Sequence, residues 1–242
     1  MDKESKSSLY NSEDYIFEYK LGSGSFGDVY LIINKKTHQK MAAKIEWKKN
    51  TSDLRLHEEY KIYKRLAKKD MKGIPIIYDW IQTPKFDMLV MELLGDNLEK
   101  VFIDRGKKFK LETVLLLGIN IITLLKNMHS IGYIHRDIKP NNFMIGHTDK
   151  NILKVVDFGL SKRYIVNKKH IACRLDKSLT GTARYASINV HMGIEASRRD
   201  DIESVGYMLL FFMLGKLPWQ GLKKKPAVNH LEQIGDTKLC TN

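Results

Sequence analysis

Asp137 lies in the run YIHRDIKPNNF at positions 133–143, one residue after Arg136, two before Lys139 and five before Asn142. A carboxylate so placed can accept the proton of an attacking hydroxyl. A lysine two positions on can neutralise charge on a phosphoryl group in transfer. The side-chain carbonyl of Asn142 suits a hard cation such as Mg²⁺, which prefers oxygen ligands. Twenty positions beyond Asp137, in VVDFG, Asp157 supplies a second hard oxygen donor. The run matches the pattern H-R-D-x-x-x-x-N of known phosphoryl-transfer sites, whose chemistry these residue types suit, and a charged surface turn has no need of them all at this spacing.

A phosphate donor must be held, and two further stretches could hold it. Gly22-Ser23-Gly24-Ser25-Phe26-Gly27 matches G-x-G-x-x-G. Without Cβ atoms, backbone N–H groups can approach phosphate oxygens. In a dinucleotide-binding unit such glycines follow a strand and open a helix. Here strand-like runs lie on both sides, YIFEYKL and DVYLII, so the loop belongs to a hairpin. Alone, it is equally an unliganded glycine-rich hairpin. Lys44, between apolar neighbours in AAKI, could hold phosphates if a carboxylate oriented it. Glu58 and Glu59 of the next helix are both available.

The elements that must position these residues follow the hydrophobic pattern. Residues 1–14 read as a polar, disordered tail. KMAAKIE, IIYDWI and FDMLVME add three strands to the hairpin. DLRLHEEYKIYKRLAK reads as a helix over 53–68, with Asp53 able to cap it. NFMIG and ILKVV form a short hairpin that can bring Asp137 and Asp157 to one cleft. Leu111–Met128 reads as an all-round apolar core helix, and VGYMLLFFML as another. The class is α+β: a strand-rich part over 15–91, a hinge near Glu92–Gly95, and a helical part over 92–242.

Composition bounds the partners. The 242 residues are 43% hydrophobic and 29% charged, enough for a core. Cys173 and Cys240 suggest no disulfide framework, which fits a reducing compartment. The opening MDKESKSSLYNSED is not a secretory signal. The apolar run 114–125 has 12 residues, too few to span a bilayer. A protein of the cytosol or nucleus, with no membrane insertion, is expected. The net charge of +13 is either a solvated basic surface or an attraction to anionic partners. Nucleic acid is the weaker expectation, because no aromatic-interleaved basic motif or zinc spacing accompanies the charge.

Taken together, LGSGSFGDVYL, LVMELLG, HRDIKPNNF, DFGLSKRY, LTGTARYASINVHMGIEASRRDD and LPWQGLK make the chain resemble a eukaryotic protein kinase of the casein kinase 1 family. The resemblance runs from about Tyr15 to the end. Most protein kinases carry Ala-Pro-Glu where this chain has Ser187-Ile188-Asn189, the usual form in that family. The resemblance implies a bilobal fold, ATP and Mg²⁺ as cofactors, and transfer to serine or threonine beside acidic or already phosphorylated residues of protein substrates. It implies catalytic roles for Asp137, Lys139, Lys44 and Glu59. Glu59 is favoured over Glu58 because EYKIY aligns behind it. Nucleotide contacts fall to Leu21, Gly22, Ser23, Gly24, Ser25, Phe26, Gly27, Val29 and Ala42. Met91 becomes the gatekeeper, with Glu92 and Leu94 presenting hinge backbone groups to adenine. Asn142 and Asp157 become the metal ligands.

Further roles follow by the same resemblance. Thr182 bridges to Asp137, and Asp201 braces the catalytic loop. Arg136, Lys162, Lys177 and Arg184 form a substrate anion site, to which the family adds a lysine where this chain has His230. No obligatory activation-loop phosphorylation is implied. After HLEQIGDTKLCTN the family continues with helices that cover the base of the larger lobe. An exposed apolar face prone to association is therefore expected. The alternative to an active enzyme is a nucleotide-binding docking module with weak or no catalysis.

Overall fold

The computed structural model describes residues 13–24, 27–48, 55–223 and 229–241. Residues 1–12 of the tail, Ser25 and Phe26 of the glycine loop, and Asp53 at the expected helix cap lie outside them. Strands β1 (Tyr15–Gly24), β2 (Gly27–Asn34), β3 (Lys40–Trp47), β4 (Ile77–Gln82) and β5 (Phe86–Glu92) form one antiparallel sheet in the order β1-β2-β3-β5-β4. Its central strands bury both faces. Tyr30, Ile32, Met41, Ala43, Ile45, Met88 and Val90 make a small core on one side. The alternate residues Ala42, Leu89 and Met91 face the main core on the other.

Helix α1 (Arg55–Lys68) lies on that second side. Its buried stripe is Leu56, Glu59, Ile62, Tyr63 and Leu66, spaced as one helical face. Glu59 is the one carboxylate in the stripe, and it is 1% exposed. Burial of that kind needs a charged partner.

The second half holds β6 (Leu94–Asn97), α2 (Leu98–Asp104) and α3 (Leu111–Ser130). The short strand β7 (Tyr133–Ile134) and a 3-10 turn (Pro140–Asn142) follow. Strands β8 (Phe143–Gly146) and β9 (Leu153–Val155) complete a small sheet ordered β6-β8-β9, the hairpin expected from NFMIG and ILKVV. Strand β10 (Lys162–Arg163) pairs with β7, and β11 (Ile165–Val166) pairs with β12 (Lys169–His170). Helices α4 (Ile188–His191), α5 (Arg198–Leu214) and α6 (His230–Leu239) complete the described chain. The Asp200 side chain accepts the backbone N–H of Ser197 at 2.7 Å where α5 begins. Gly215 ends α5 at φ 79°, a left-handed cap that glycine adopts without strain.

The expectation of all-round buried helices is corrected. On α3 only seven residues are buried, and Leu111, Leu115, Leu116, Ile119 and Ile122 are 45–64% exposed. On α5, Ile202, Leu210, Met213 and Leu214 are 42–62% exposed. A high apolar content says nothing of which side finds a neighbour: these two helices pack on each other, and each keeps apolar residues exposed. Helix α3 starts where the sequence reading of 111–128 put it and ends two residues later, at Ser130. By length and composition alone it is the one described helix that could cross a membrane.

Candidate active site

Lys44 on β3 is 7% exposed, and its Nζ donates to Glu59 Oε2 at 2.7 Å and to Asp157 Oδ1 at 3.0 Å. Glu58 instead faces outward and pairs with Lys61 at 2.7 Å. The helical period explains the division: adjacent residues cannot share a face, and Glu59 sits in the stripe with Leu56 and Tyr63. Burial works to discharge Lys44, but Glu59 and Asp157 outweigh it and hold the ammonium above the usual lysine range. Burial also opposes ionisation of Asp157, and Lys44 overcomes it, keeping the carboxyl below the usual range. Glu59 itself is raised by its complete burial, against the pull of Lys44.

The catalytic-loop residues are held from beneath. Asp201, in the first turn of α5, accepts the backbone N–H groups of His135 at 2.8 Å and Arg136 at 2.9 Å, and meets His129 Nε2 at 2.7 Å. Arg136 is at φ 68°, strained for a residue with a side chain, and these bonds hold it there. The turn aims Asp137 at Lys139 and Thr182. Its Oδ1 accepts from Thr182 Oγ1 at 2.7 Å, and its Oδ2 accepts from Lys139 Nζ at 2.6 Å. Lys139 Nζ also reaches Thr182 at 3.3 Å. Gly181, at φ 94°, lets this segment approach: an added Cβ would lie 2.3 Å from the carbonyl oxygen of Arg136.

Asn142 donates its amide to the backbone oxygen of Asp137 at 2.8 Å. The side-chain oxygen is therefore what Asn142 can offer to a ligand. Asp157 has φ 65°, its N–H donates to Tyr63 Oη at 3.3 Å, and Phe158 is buried against the rings of Tyr63 and His135. Asp157 and Asn142 thus bring two hard oxygen donors to one place. That set fits a Mg²⁺-like ion, which completes its shell with water and phosphate. Among the described residues no cluster of three or more His, Cys, Asp or Glu side chains could hold a metal unaided.

A cleft of about 590 Å³ lies between the sheet and the helical half; Asp137 is not in its lining but bonds to Lys139 and Thr182, which are. Leu21, Gly22, Ser23, Val29, Ala42, Lys44, Glu59, Met91, Glu92, Leu94, Lys139, Asn142 and Asp157 all line it. Gly27 sits in the hairpin at φ 140°, where an added Cβ would lie 2.2 Å from Ile45 O. Sequence reasoning missed Tyr63, Leu93, Asn97, Asn141, Met144 and Val156. Two of these had a usable signal: Met144 and Val156 are the apolar strand residues beside Asn142 and Asp157. A second cavity, about 670 Å³, lies between α1 and β4 and is lined by Tyr60, Trp80 and Lys154. It contains none of the chemical groups, so the smaller cleft is the site.

The four residues expected at an anion site divide. Lys162 Nζ bonds Glu195 Oε1 at 2.8 Å, and Lys177 and Arg136 lie close enough to lower Glu195 further; burial opposes that shift and loses. Arg184 turns instead over the rings of Tyr185 and Phe211, at 5.7 and 5.8 Å. His230 opens α6, capped by Asn229.

A family model described as "Protein kinase domain" matches residues 15–240, nearly all of the chain.

Proposed function

This chain belongs to the protein kinase domain family, and we propose that it is a serine/threonine kinase of the casein kinase 1 type, acting with ATP and Mg²⁺ on acidic or phosphorylated proteins. The observation that carries the reading is the single cleft lined by Lys44, Glu59, Lys139, Asn142 and Asp157, with Asp137 bonded to its wall through Lys139 and Thr182. Mg²⁺ bound there supplies charge neutralisation at the phosphates. The chain's own groups do the rest. Lys44, fixed by Glu59, presents a permanent positive charge to the nucleotide phosphates. Asp137 orients the substrate hydroxyl and takes its proton. Lys139 lies beside Asp137, placed to meet negative charge on the group in transfer. Positioning and fixed charge account for most of the acceleration in such reactions.

The substrate class rests on charge. The net +13 and the grouping of Lys162, Lys177 and Arg136 support an acidic or phosphorylated protein partner. The cytosol or nucleus, without membrane insertion, remains the proposed location. The test is transfer of labelled γ-phosphate to casein, followed by phosphoamino-acid analysis. Labelled phosphoserine or phosphothreonine is expected. Phosphotyrosine would overturn the specificity. Nucleotide binding without any transfer would favour the docking reading, for which the exposed large apolar residues of α3 and α5 are the supporting observation.

A further inference from the structure

Residues 182–188 lead into α4 from beside Asp137, and side chains from four other places hold their backbone. At one end Thr182 Oγ1 donates to Asp137 Oδ1 at 2.7 Å. The N–H groups of Tyr185 and Ala186 turn back to Thr182 O at 2.9 and 3.0 Å. The carbonyls between them find partners elsewhere. Ala183 O accepts from Lys238 Nζ at 2.9 Å and from His191 Nε2 at 3.1 Å. Arg184 O accepts from Trp219 Nε1 at 2.7 Å, and Ala186 O accepts from the same Lys238 ammonium. At the far end Ser187 Oγ donates to Asp200 and the Ile188 N–H donates to Glu203, both at 2.7 Å.

Lys238 is the contribution of α6. It is 3% exposed. Its ammonium spans two carbonyls three residues apart and lies over the rings of Tyr207 at 4.7 Å and Trp219 at 5.0 Å. Burial pushes this amine down to about 7, with Glu203 working the other way. Two carbonyls and two ring faces are the groups that can hold the proton against that burial. A buried ammonium without a carboxylate bonded to it is a costly device for simple packing. What it holds is the strip of backbone that begins at the partner of Asp137.

We infer that Lys238 is a positioning residue for the protein substrate: from α6 its ammonium fixes the carbonyls of Ala183 and Ala186, and so the backbone that sets Thr182 against Asp137. The inference rests on the kinase reading of the cleft and adds to it a residue far from the chemistry. Of the segment, Thr182 lines the nucleotide cleft and residues 183–186 do not. Loss of the clamp therefore acts on the hydroxyl-bearing substrate and spares ATP.

The test compares the 242-residue chain with Lys238→Met, which keeps length and removes charge and donors, and Lys238→Arg, which keeps the charge. Two readouts are taken: amide hydrogen exchange, and KM for casein against KM for ATP. In Lys238→Met, exchange over 182–188 is expected to quicken by about tenfold or more while β3 and α1 are unchanged. Its casein KM is expected to rise by about tenfold with ATP KM unmoved. Lys238→Arg is expected to recover part of both. Unchanged exchange and unchanged casein KM would overturn the inference. So would a uniform loss across the chain, or ATP and casein KM rising together, because either marks ordinary packing. If the parent chain transfers no phosphate, the kinase reading fails on its own, and the exchange comparison still decides whether Lys238 fixes this backbone.

Discussion

At the residue scale the account turns on Lys44. Its two carboxylate partners come from α1 and from the start of the segment after β9, so one side chain ties both halves of the molecule together. Lys44→Met is expected to lower phosphate transfer by about a hundredfold or more, since a fixed charge in a water-poor cleft is lost. ATP binding measured by calorimetry is expected to weaken as well. Glu59→Gln is expected to act in the same direction with a smaller loss, because Lys44 keeps Asp157. The pH sense follows from the shifts. Lys44 is raised in the fold, so its stabilising contribution is complete below the ordinary lysine range and disappears as pH rises through its folded value. Asp157 is lowered, so its contribution is complete above the ordinary aspartate range and is lost as pH falls through its folded value. Their joint contribution is thus present across neutral pH. The gap in Tm between parent and Lys44→Met should be largest there and narrow toward strong alkali.

At the element scale the turns matter more than the helices. Asp201 at the head of α5 holds two backbone N–H groups and His129, and it keeps Arg136 at positive φ. Asp201→Asn cannot accept at every one of these bonds, and a loss of about 2–3 kcal/mol in stability is expected, read by denaturant unfolding. Gly181→Ala forces a Cβ against Arg136 O, and a fall in transfer with little change in ATP affinity is expected. Much of this was legible in the sequence, for a physical reason. The groups around Asp137 and Asp157 are close along the chain, so local spacing encodes their geometry. The antiparallel sheet and the 143–155 hairpin were legible from alternation and turn residues. What escaped depended on neighbours remote in sequence. The exposed side of α3 has the same composition as a buried one. The placement of Arg184 over Tyr185 and Phe211 depends on how α5 packs. Lys238 sits in a polar run, HLEQIGDTKLC, that gives no hint of a buried ammonium.

At the scale of the whole molecule, two features pull in opposite directions. The net charge of +13 keeps copies apart, while α3 and α5 between them expose nine large apolar residues. Contiguous apolar patches of more than a few hundred Å² are rare on proteins that stay monomeric. None of the nine lines the cleft, so their solvation and the chemistry should respond separately. The double variant Leu116→Glu, Leu214→Glu is expected to reduce concentration-dependent association in sedimentation velocity and to leave ATP affinity unchanged. Association that persists would place the contact on another surface.

The central claim is that one cleft moves a phosphoryl group with Lys44, Asp137 and Asp157 in the roles given. The most direct measurement is γ-phosphate transfer from Mg·ATP to casein by the 242-residue chain beside its Asp157→Asn variant, both checked as folded by circular dichroism. Transfer by the parent and almost none by Asp157→Asn is the expected result. Equal transfer by the two, or none by a folded parent, would contradict it.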